Sequence, residues 1–306
     1  MADINLTFTN TPNDRIEPLI RGEVKPEGIT LHYTELPLNE IWVRQLEHSE
    51  YDLSEISISF MMRAMSLGTW AYRLLPIFHN RNFAYASTVI RLESGIRPGH
   101  PEDLKGKRIG LPDYQMSASM WAKGILQHEF GVRPQDVEWF AGRPDPFIPG
   151  EKGAFTPPPG VTLHPEPNDI NTLLMEGKLD AIFSQGRLPP ELSDLNKFAP
   201  LFPDIPGEAA RYFQKTGIFP AHHATIVRES ILREHPWVAT SLLEAFNESK
   251  KLAMQRFQQR QPSLMIFLTR PWHNNGRFLA KIPLLMGSMP MLRLSTLPKR
   301  SHMNRG

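Results

Sequence analysis

Short segments in which apolar and polar residues alternate recur along this chain, with segments of helical spacing between them. Residues 4–9 (Ile-Asn-Leu-Thr-Phe-Thr) alternate at every position, which predicts a β-strand. The same patterns predict the other elements before residue 68: strands at 29–33 and 51–56, and helices at 15–20, 38–46 and 59–67. Strands that alternate with helices along the chain are typical of a mostly parallel sheet with helices on its faces.

A second unit of strands and helices begins near Gly95. Its predicted elements are a strand that ends at 111, a helix at 117–130, a strand at 137–140, a helix at 170–175 and a strand at 179–183. Residues 141–169 contain eight of the 29 prolines, which predicts one long loop. A strand at 221–227 is predicted to return to the first unit, and an amphipathic helix follows at 236–256.

These units predict an α/β chain of two lobes, with the second lobe inserted in the first. The predicted boundaries are lobe 1 at 1–93 and 219–260, lobe 2 at 94–218, and a separate tail at 261–306. Open α/β sheets bind ligands beyond the carboxyl ends of their strands, where loops and helix N-termini meet. We therefore expect a ligand in the cleft between the lobes.

Composition and charge exclude several classes of protein. The chain of 306 residues has no cysteine, so disulfides, thiolate metal sites and cysteine nucleophiles are all excluded. Residues 249–306 carry eleven Lys and Arg and no Asp or Glu, so the first 248 residues carry 23 basic against 32 acidic side chains. A body with excess negative charge argues against a fold that binds nucleic acid.

The N-terminus sets an expectation about the compartment. Residues 1–6 contain no basic leader, and no apolar core of about 7–15 residues follows, so a secretory signal is not predicted. No window approaches the roughly 18–20 consecutive apolar residues of a membrane span. We expect a cytoplasmic protein without a membrane partner.

Four strings of residues carry a family resemblance. They are 51–57 (Tyr-Asp-Leu-Ser-Glu-Ile-Ser), 103–110 (Asp-Leu-Lys-Gly-Lys-Arg-Ile-Gly), 114–127 (Tyr-Gln-Met-Ser-Ala-Ser-Met-Trp-Ala-Lys-Gly-Ile-Leu-Gln), and 219–223 (Phe-Pro-Ala-His-His) with 235–238 (His-Pro-Trp-Val). The second string is similar to the wider type 2 periplasmic-binding-protein superfamily, and the other three resemble the 4,5-dihydroxyphthalate decarboxylase family. The resemblance covers roughly residues 3–260. It implies a two-lobed, periplasmic-binding-protein-like fold used as a cytoplasmic enzyme.

The resemblance also implies a reaction. The family decarboxylates 4,5-dihydroxyphthalate, a small aromatic dicarboxylate, to 3,4-dihydroxybenzoate (protocatechuate) and CO2 in phthalate degradation. The alternative is a transporter-type solute-binding protein for an aromatic acid, because fold does not dictate function. The missing leader counts against this alternative, and a homo-oligomer is left open.

The tail departs from the family pattern. A Tyr-Gly-x-x-x-Asn string is expected there, and residues 286–291 read Met-Gly-Ser-Met-Pro-Met instead. A reading frame displaced by one nucleotide permits the expected string, and the tail lacks acidic residues. We hypothesise that the tail from near Gln261 is a frameshifted C-terminus, with a diverged basic tail as the alternative.

Backbone amides at helix starts are candidates for substrate binding. The helix at 117–130 begins at Ser117, where free N–H groups and the helix dipole favour a carboxylate. Tyr114 and Gln115 precede this helix and offer hydrogen bonds to phenolic oxygens. Ser57 occupies the matching position in the first lobe. The alternative is that Ser117 only caps its helix and that Tyr114 only packs.

Arginines are candidates for holding the carboxylates of such a substrate. A guanidinium group matches a carboxylate with two parallel hydrogen bonds, which an ammonium group does not. We select Arg81 and Arg187, and we add His79 because it flanks the crossing into the second lobe. A solvated surface position is the alternative for any single arginine.

His223 and Glu55 are the candidate catalytic residues. Aromatic decarboxylation needs a proton at the ring carbon that loses the carboxylate, and a histidine suits this delivery. The resemblance aligns His223, rather than its neighbour His222, with a family histidine. Glu55 is a candidate for accepting a phenol proton or steering a basic residue. The alternative for His223 is a hydrogen-bonded core position. Asp52 is the other carboxylate in the 51–57 string, and its alternative is a strand-end salt bridge.

No cofactor is predicted. The chain has no phosphate-binding loop and no dinucleotide-binding glycine fingerprint. The histidines and the glutamate named above offer nitrogen and oxygen ligands, yet their spacing matches no metal motif. We predict no required metal and leave a divalent ion open.

Overall fold

The computed structural model describes residues 3–68, 70–142, 156–183 and 189–259. The strands are β1 (Ile4–Thr9), β2 (Ile29–Thr34), β3 (Leu53–Ser57), β4 (Tyr72–Arg81), β5 (Thr88–Arg91), β6 (Arg108–Leu111), β7 (Glu138–Gly142), β8 (Thr162–Glu166), β9 (Ala181–Phe183), β10 (Phe198–Pro200) and β11 (Ala221–Arg228). The helices are α1 (Glu17–Ile20), α2 (Leu38–Val43), α3 (Ile58–Ser66), α4 (Ser117–Phe130), α5 (Ile170–Met175), α6 (Ile205–Thr216), α7 (Glu229–Glu234) and α8 (Val238–Gln259). The hypothesis about the tail and the selection of Arg187 concern positions outside the described residues.

The first sheet combines strands from both ends of the described chain, in the order β2-β1-β3-β11-β4. Strand β1 pairs in parallel with β2 and β3, whereas β11 is antiparallel to both β3 and β4. Four of its five strands therefore run in the same direction, as in the predicted mostly parallel sheet, but the sheet is mixed. The reason is that β11 returns from the second sheet in the direction opposite to its neighbours.

The second sheet is formed by the chain between β4 and β11, in the order β10-β5-β9-β6-β7-β8. Its strands β9, β6, β7 and β8 run parallel, and β5 is antiparallel to β9 and β10. Helix α4 connects β6 to β7, and α5 connects β8 to β9. These crossovers are those expected of an α/β lobe.

Each sheet buries its own apolar side chains. In the first lobe, Phe8 on β1 packs edge-on against Phe246 on α8, with the ring centroids 5.9 Å apart. In the second lobe, Trp139 and Ile109 pack with Ile125 of α4. Separate cores agree with the predicted two-lobed α/β fold, while the precise lobe boundaries stay a prediction. None of the described helices has the length and apolar content that crossing a membrane requires.

Several predicted elements match the structure and one does not. The helices predicted at 117–130 and 170–175 have the same bounds in α4 and α5. The single loop predicted over 141–169 is wrong, because β8 lies within it. Strand β8 lies at the edge of the second sheet, beside β7. Pro165 is tolerated in it, since an edge strand has one side that needs no ladder hydrogen bonds.

Helix α6 begins with signals that the sequence prediction overlooked. The Asp204 side chain accepts a hydrogen bond of 2.9 Å from the Gly207 N–H, and Pro206 lies in the first turn. An Asp at the N-cap with a proline in the first turn is a common helix start. Strands β4 and β5 were also not predicted.

We predict that Gly110→Ala destabilises the second lobe. Gly110 lies in β6, and an added Cβ would come within 2.6 Å of Leu179 Cδ1 and 3.0 Å of Ile170 Cβ. Overpacking of this kind costs about 1–3 kcal/mol. Gly124→Ala is the matched control, because nothing lies within 4 Å of its added Cβ and Ala favours a helix. Thermal unfolding should give a lower Tm for Gly110→Ala only; a Tm at or above the parent's would contradict the packing described.

Candidate active site

A cavity of about 280 Å³ lies at the carboxyl end of the first sheet's parallel strands. It is lined by residues from the loop after β1, the start of α2, β3, the end of β4 and the start of β11: Thr11, Pro12, Asn13, Arg15, Leu38, Glu55, His79, Asn80, Arg81 and His223. This edge is where α/β sheets bind their ligands, because strand ends and loops converge there. The cavity therefore gathers four residues selected from the sequence: Glu55, His79, Arg81 and His223.

Glu55 and His223 form a short, buried hydrogen bond in this cavity. Nδ1 of His223 lies 2.7 Å from Oε1 of Glu55, and the two residues are only 8% and 4% exposed. They stand on adjacent strands, with Thr225 directly opposite Glu55 in the register. The pairing of β11 with β4 is irregular around His223. Irregularities of this kind re-aim side chains and are common beside active sites.

The environment keeps Glu55 ionised. Burial acts to raise the pKa of Glu55, but the hydrogen bond from His223 is the main opposing interaction, and the pKa lies below its ordinary value. The Thr11 N–H donates a further hydrogen bond of 3.3 Å to Oε2. An ionised Glu55 accepts from Nδ1–H of His223, which fixes the ring orientation and leaves Nε2 for other contacts. The pair can hold and deliver a proton.

His79 is held neutral behind this pair. Its Nε2 lies 2.6 Å from Oγ1 of Thr225, and Nδ2 of Asn10 lies 3.1 Å from its Nδ1. The ring also packs edge-on against Phe246, with centroids 5.8 Å apart. Burial lowers the pKa of His79 to about 4, so the ring carries no charge at neutral pH. His79 can therefore exchange hydrogen bonds but does not serve as a cation.

Arg15 and Arg81 place positive charge in the cavity. Nη2 of Arg15 donates a hydrogen bond of 2.6 Å to the His79 carbonyl, and Nη2 of Arg81 donates one of 3.1 Å to the Phe219 carbonyl. The Arg81 guanidinium also lies 5.0 Å from the centre of the Phe219 ring. Among the described residues, no carboxylate lies within 4.0 Å of Arg81, and Arg15 has only the exposed Asp14 at 3.7 Å. Backbone carbonyls position both groups without neutralising them.

A cluster of serine hydroxyls connects the two lobes near this site. Oγ of Ser57 lies 2.9 Å from Oγ of Ser117 and 3.1 Å from Oγ of Ser59. The Ser59 N–H donates to Oγ of Ser117 at 3.0 Å. Ser117 is therefore not simply a cap of its own helix, because it satisfies an amide at the start of α3. The predicted serines come together, but they contact each other rather than line the cavity.

Other residues selected from the sequence lie away from the cavity. The Tyr114 ring is buried in the second lobe, edge-on to Trp139 at 5.9 Å and beneath Nζ of Lys123. Packing directs the ring into the core and Tyr114 does not line the cavity, so its role in substrate binding stays a prediction. Gln115 does not line the cavity, and its backbone N–H donates a hydrogen bond of 2.7 Å to Oδ1 of Asp113. Asp52 forms a salt bridge of 3.0 Å with Arg228, which agrees with the alternative given for it from the sequence.

Sequence reasoning missed two groups of residues at this site. Thr11 and Arg15 come from the loop after β1, and a Thr-Pro-Asn-Asp turn at the end of a parallel strand is a signal that could have pointed to them. Asn10, directly after β1, and Thr225, on β11, hold His79 by hydrogen bonds, and only the folded sheet brings them to it. Within the described part of the chain, no three His, Asp or Glu side chains are grouped as metal ligands.

Comparison with known proteins identifies the family. The chain is 33% identical over 260 residues to the 4,5-dihydroxyphthalate decarboxylase of Comamonas testosteroni. The aligned region covers 84% of this chain and 78% of that protein. The chain belongs to the 4,5-dihydroxyphthalate decarboxylase family. The 4,5-dihydroxyphthalate decarboxylase of Pseudomonas putida is 34% identical over 184 residues, covering 60% of this chain and 70% of that protein. No protein-family model matches the chain.

A solved structure supports the fold assignment for this decarboxylase-family chain. The periplasmic aliphatic sulphonate binding protein SsuA of Escherichia coli matches with a TM-score of 0.53 and 11% identity. The match covers 92% of this chain and 83% of that one. At such low identity the likeness shows the fold alone. It confirms the predicted periplasmic-binding-protein-like, two-lobed α/β architecture.

We predict that acid destabilises this member of the decarboxylase family through two buried histidines. Burial lowers the pKa of His79 and of His222 to about 4, compared with about 6.5 in an unfolded chain. Between these pH values the unfolded state binds more protons, so the free energy of unfolding falls as the pH falls. His79→Gln should reduce that slope by about 1 kcal/mol per pH unit.

Urea unfolding at several pH values between 7 and 4 measures the slope for His79→Gln. His48→Gln, at an exposed position, serves as the control and should leave the slope unchanged. Equal slopes for the parent and His79→Gln would contradict a neutral, buried His79.

Proposed function

We propose that this protein decarboxylates 4,5-dihydroxyphthalate to 3,4-dihydroxybenzoate and CO2. The observation that carries the proposal is the buried Glu55–His223 pair, which shares its cavity with Arg15 and Arg81. A carboxylate–imidazole pair supplies a proton, and guanidinium groups attract a substrate with two carboxylates. Two relatives that bear the name of this enzyme support the same reaction.

The proposed chemistry takes place at the ring carbon that bears the departing carboxylate. A hydroxyl group para to this carbon gives up its proton and releases electrons into the ring, while the His223 imidazolium delivers a proton to the carbon. The resulting dienone-like intermediate loses CO2, and the electron pair of the broken bond restores the aromatic ring. The oxygen regains a proton. One carboxylate is thereby replaced by hydrogen, with one proton taken up from solvent through His223.

Glu55 prepares His223 for this step. The carboxylate is ionised and accepts the hydrogen bond from Nδ1, so it holds the ring in one orientation. The pair is buried, which strengthens the interaction because the local dielectric is low. Without Glu55, an imidazolium ion at this position would have no counter-charge.

A negative Glu55 also acts on the substrate. It stands in the cavity that receives the departing carboxylate, and like charges repel each other most where water is scarce. This repulsion disappears as the carboxylate becomes neutral CO2, so it favours the transition state over bound substrate. The serines Ser57 and Ser117 are hydrogen-bonded to each other, and we assign them no contact with the substrate.

Solute binding without catalysis is the alternative function, since the fold is that of binding proteins. The two functions differ in turnover: a binding protein would hold an aromatic acid unchanged, and an enzyme would release CO2. The cytoplasmic location stays a prediction of the sequence, and so does a small aromatic dicarboxylate as partner.

We predict that His223→Asn lowers kcat for decarboxylation by about 10²–10⁴-fold, the usual contribution of a general acid. Glu55→Gln should also lower kcat, because it keeps the hydrogen-bonding shape but removes the charge that stabilises the imidazolium. His222→Gln is the control, since His222 is buried next to His223 but does not line the cavity.

The assay follows CO2 release and 3,4-dihydroxybenzoate formation from 4,5-dihydroxyphthalate, with Tm measured for each variant. Turnover by His223→Asn within a few-fold of the parent would refute the assigned proton donor. Tight binding of 4,5-dihydroxyphthalate by the parent without any CO2 release would favour the solute-binding alternative.

A further inference from the structure

Lys250 lies on α8, which packs against the loop after β1, and the proposed reaction leaves it without a role. Oγ of Ser249 donates a hydrogen bond of 2.7 Å to the Arg15 carbonyl, which fixes this part of α8 against that loop. One turn earlier, Phe246 contacts the ring of His79. Residues four apart share a helix face, so the half-buried Lys250 continues the face of α8 that packs against His79, a residue of the cavity lining.

Three cations approach each other at this place. Burial and the positive charges of Arg15 and Arg81 lower the pKa of Lys250. Within the described ranges, Lys250 has no carboxylate within 4.0 Å, whereas its neighbour Lys251 pairs with Glu248 at 3.1 Å. Arg81 likewise has no such partner among the described residues.

Of the carboxylates that the structure describes, only the exposed Asp14 lies within 4.0 Å of these three cations, 3.7 Å from Arg15, and like charges with so little compensation are unfavourable unless an anion binds to them. A second feature of the same cavity points to a ligand. Oγ1 of Thr11 is buried and has no hydrogen-bond partner in the described part of the chain. A hydroxyl group and three cationic side chains are together suited to one carboxylate.

We propose that Arg15, Arg81 and Lys250 bind the carboxylate that the substrate retains, and that Lys250 makes the site prefer an aromatic acid to a neutral phenol. The proposal rests on the proposed decarboxylation and deepens it. The departing carboxylate is better placed at Glu55 and His223. Salt bridges to several cations would stabilise the charged carboxylate of the bound substrate more than the transition state that leads to neutral CO2. The charge of the surrounding residues thereby determines which carboxylate of the ring is retained and which departs.

The test compares Lys250→Met with Lys251→Met in the full chain. Methionine keeps the apolar stem of the side chain and removes only the charge, and Lys251 is an exposed, ion-paired lysine on the same helix. Binding of two unreactive probes, the dianion phthalate and the neutral catechol, is measured by calorimetry. Tm values show that each variant is folded.

The parent should bind phthalate more tightly than catechol. Lys250→Met should weaken phthalate binding by about 10–100-fold, the range for one charge-assisted contact, and catechol binding by less than about threefold, because catechol has no carboxylate for Lys250 to bind. Lys251→Met should change neither, and Lys250→Arg should restore most of the preference. With 4,5-dihydroxyphthalate, Lys250→Met should raise KM and leave kcat within a few-fold.

Equal losses for the two probes, or no loss for either, would overturn the role of Lys250, and so would a parent that does not prefer phthalate. These outcomes do not depend on whether the protein catalyses the proposed decarboxylation, because binding of the probes requires no turnover. A parent that prefers phthalate through Lys250 but releases no CO2 would refute only the decarboxylation.

Discussion

A buried hydrogen bond between Glu55 and His223 joins the two segments of chain on which the site depends. Glu55 lies on β3, before the second lobe in sequence, and His223 lies on β11, after it. Leaving either partner alone would strand a buried polar or charged group, at a cost of about 3–5 kcal/mol. A slip of one residue in β11 would also replace His223 by His222, because neighbouring side chains on a strand face opposite sides. Strand register and chemistry are therefore specified together.

The charge in the cavity is divided between two sets of residues. Glu55 supplies the negative charge, with His223 as its partner, and Arg15 and Arg81 supply positive charge held in place by backbone carbonyls. Burial keeps His79 neutral, so it adds hydrogen bonds without disturbing this division. A ring with two carboxylates can then be oriented by charge alone, which a symmetrical cluster of cations could not achieve.

The sequence carried enough information for the two-lobed fold and for part of the cavity. Helix α4 was predictable because its spacing and the glycine after it are local signals, and Glu55 and His223 came from strings that resemble the family. Tyr114 does not line the cavity, because packing against Trp139, rather than its position before α4, sets the direction of its ring. Lys250 was missed because its surroundings arise only when α8 packs against the loop after β1.

A crystal structure of the chain with bound phthalate is the most direct test of the arrangement. We expect one carboxylate within hydrogen-bond distance of Arg81 and the ring carbon of the other carboxylate next to His223. Phthalate bound elsewhere, for example between the serines that connect the lobes, or with both carboxylates on the arginines and none near His223, would contradict it.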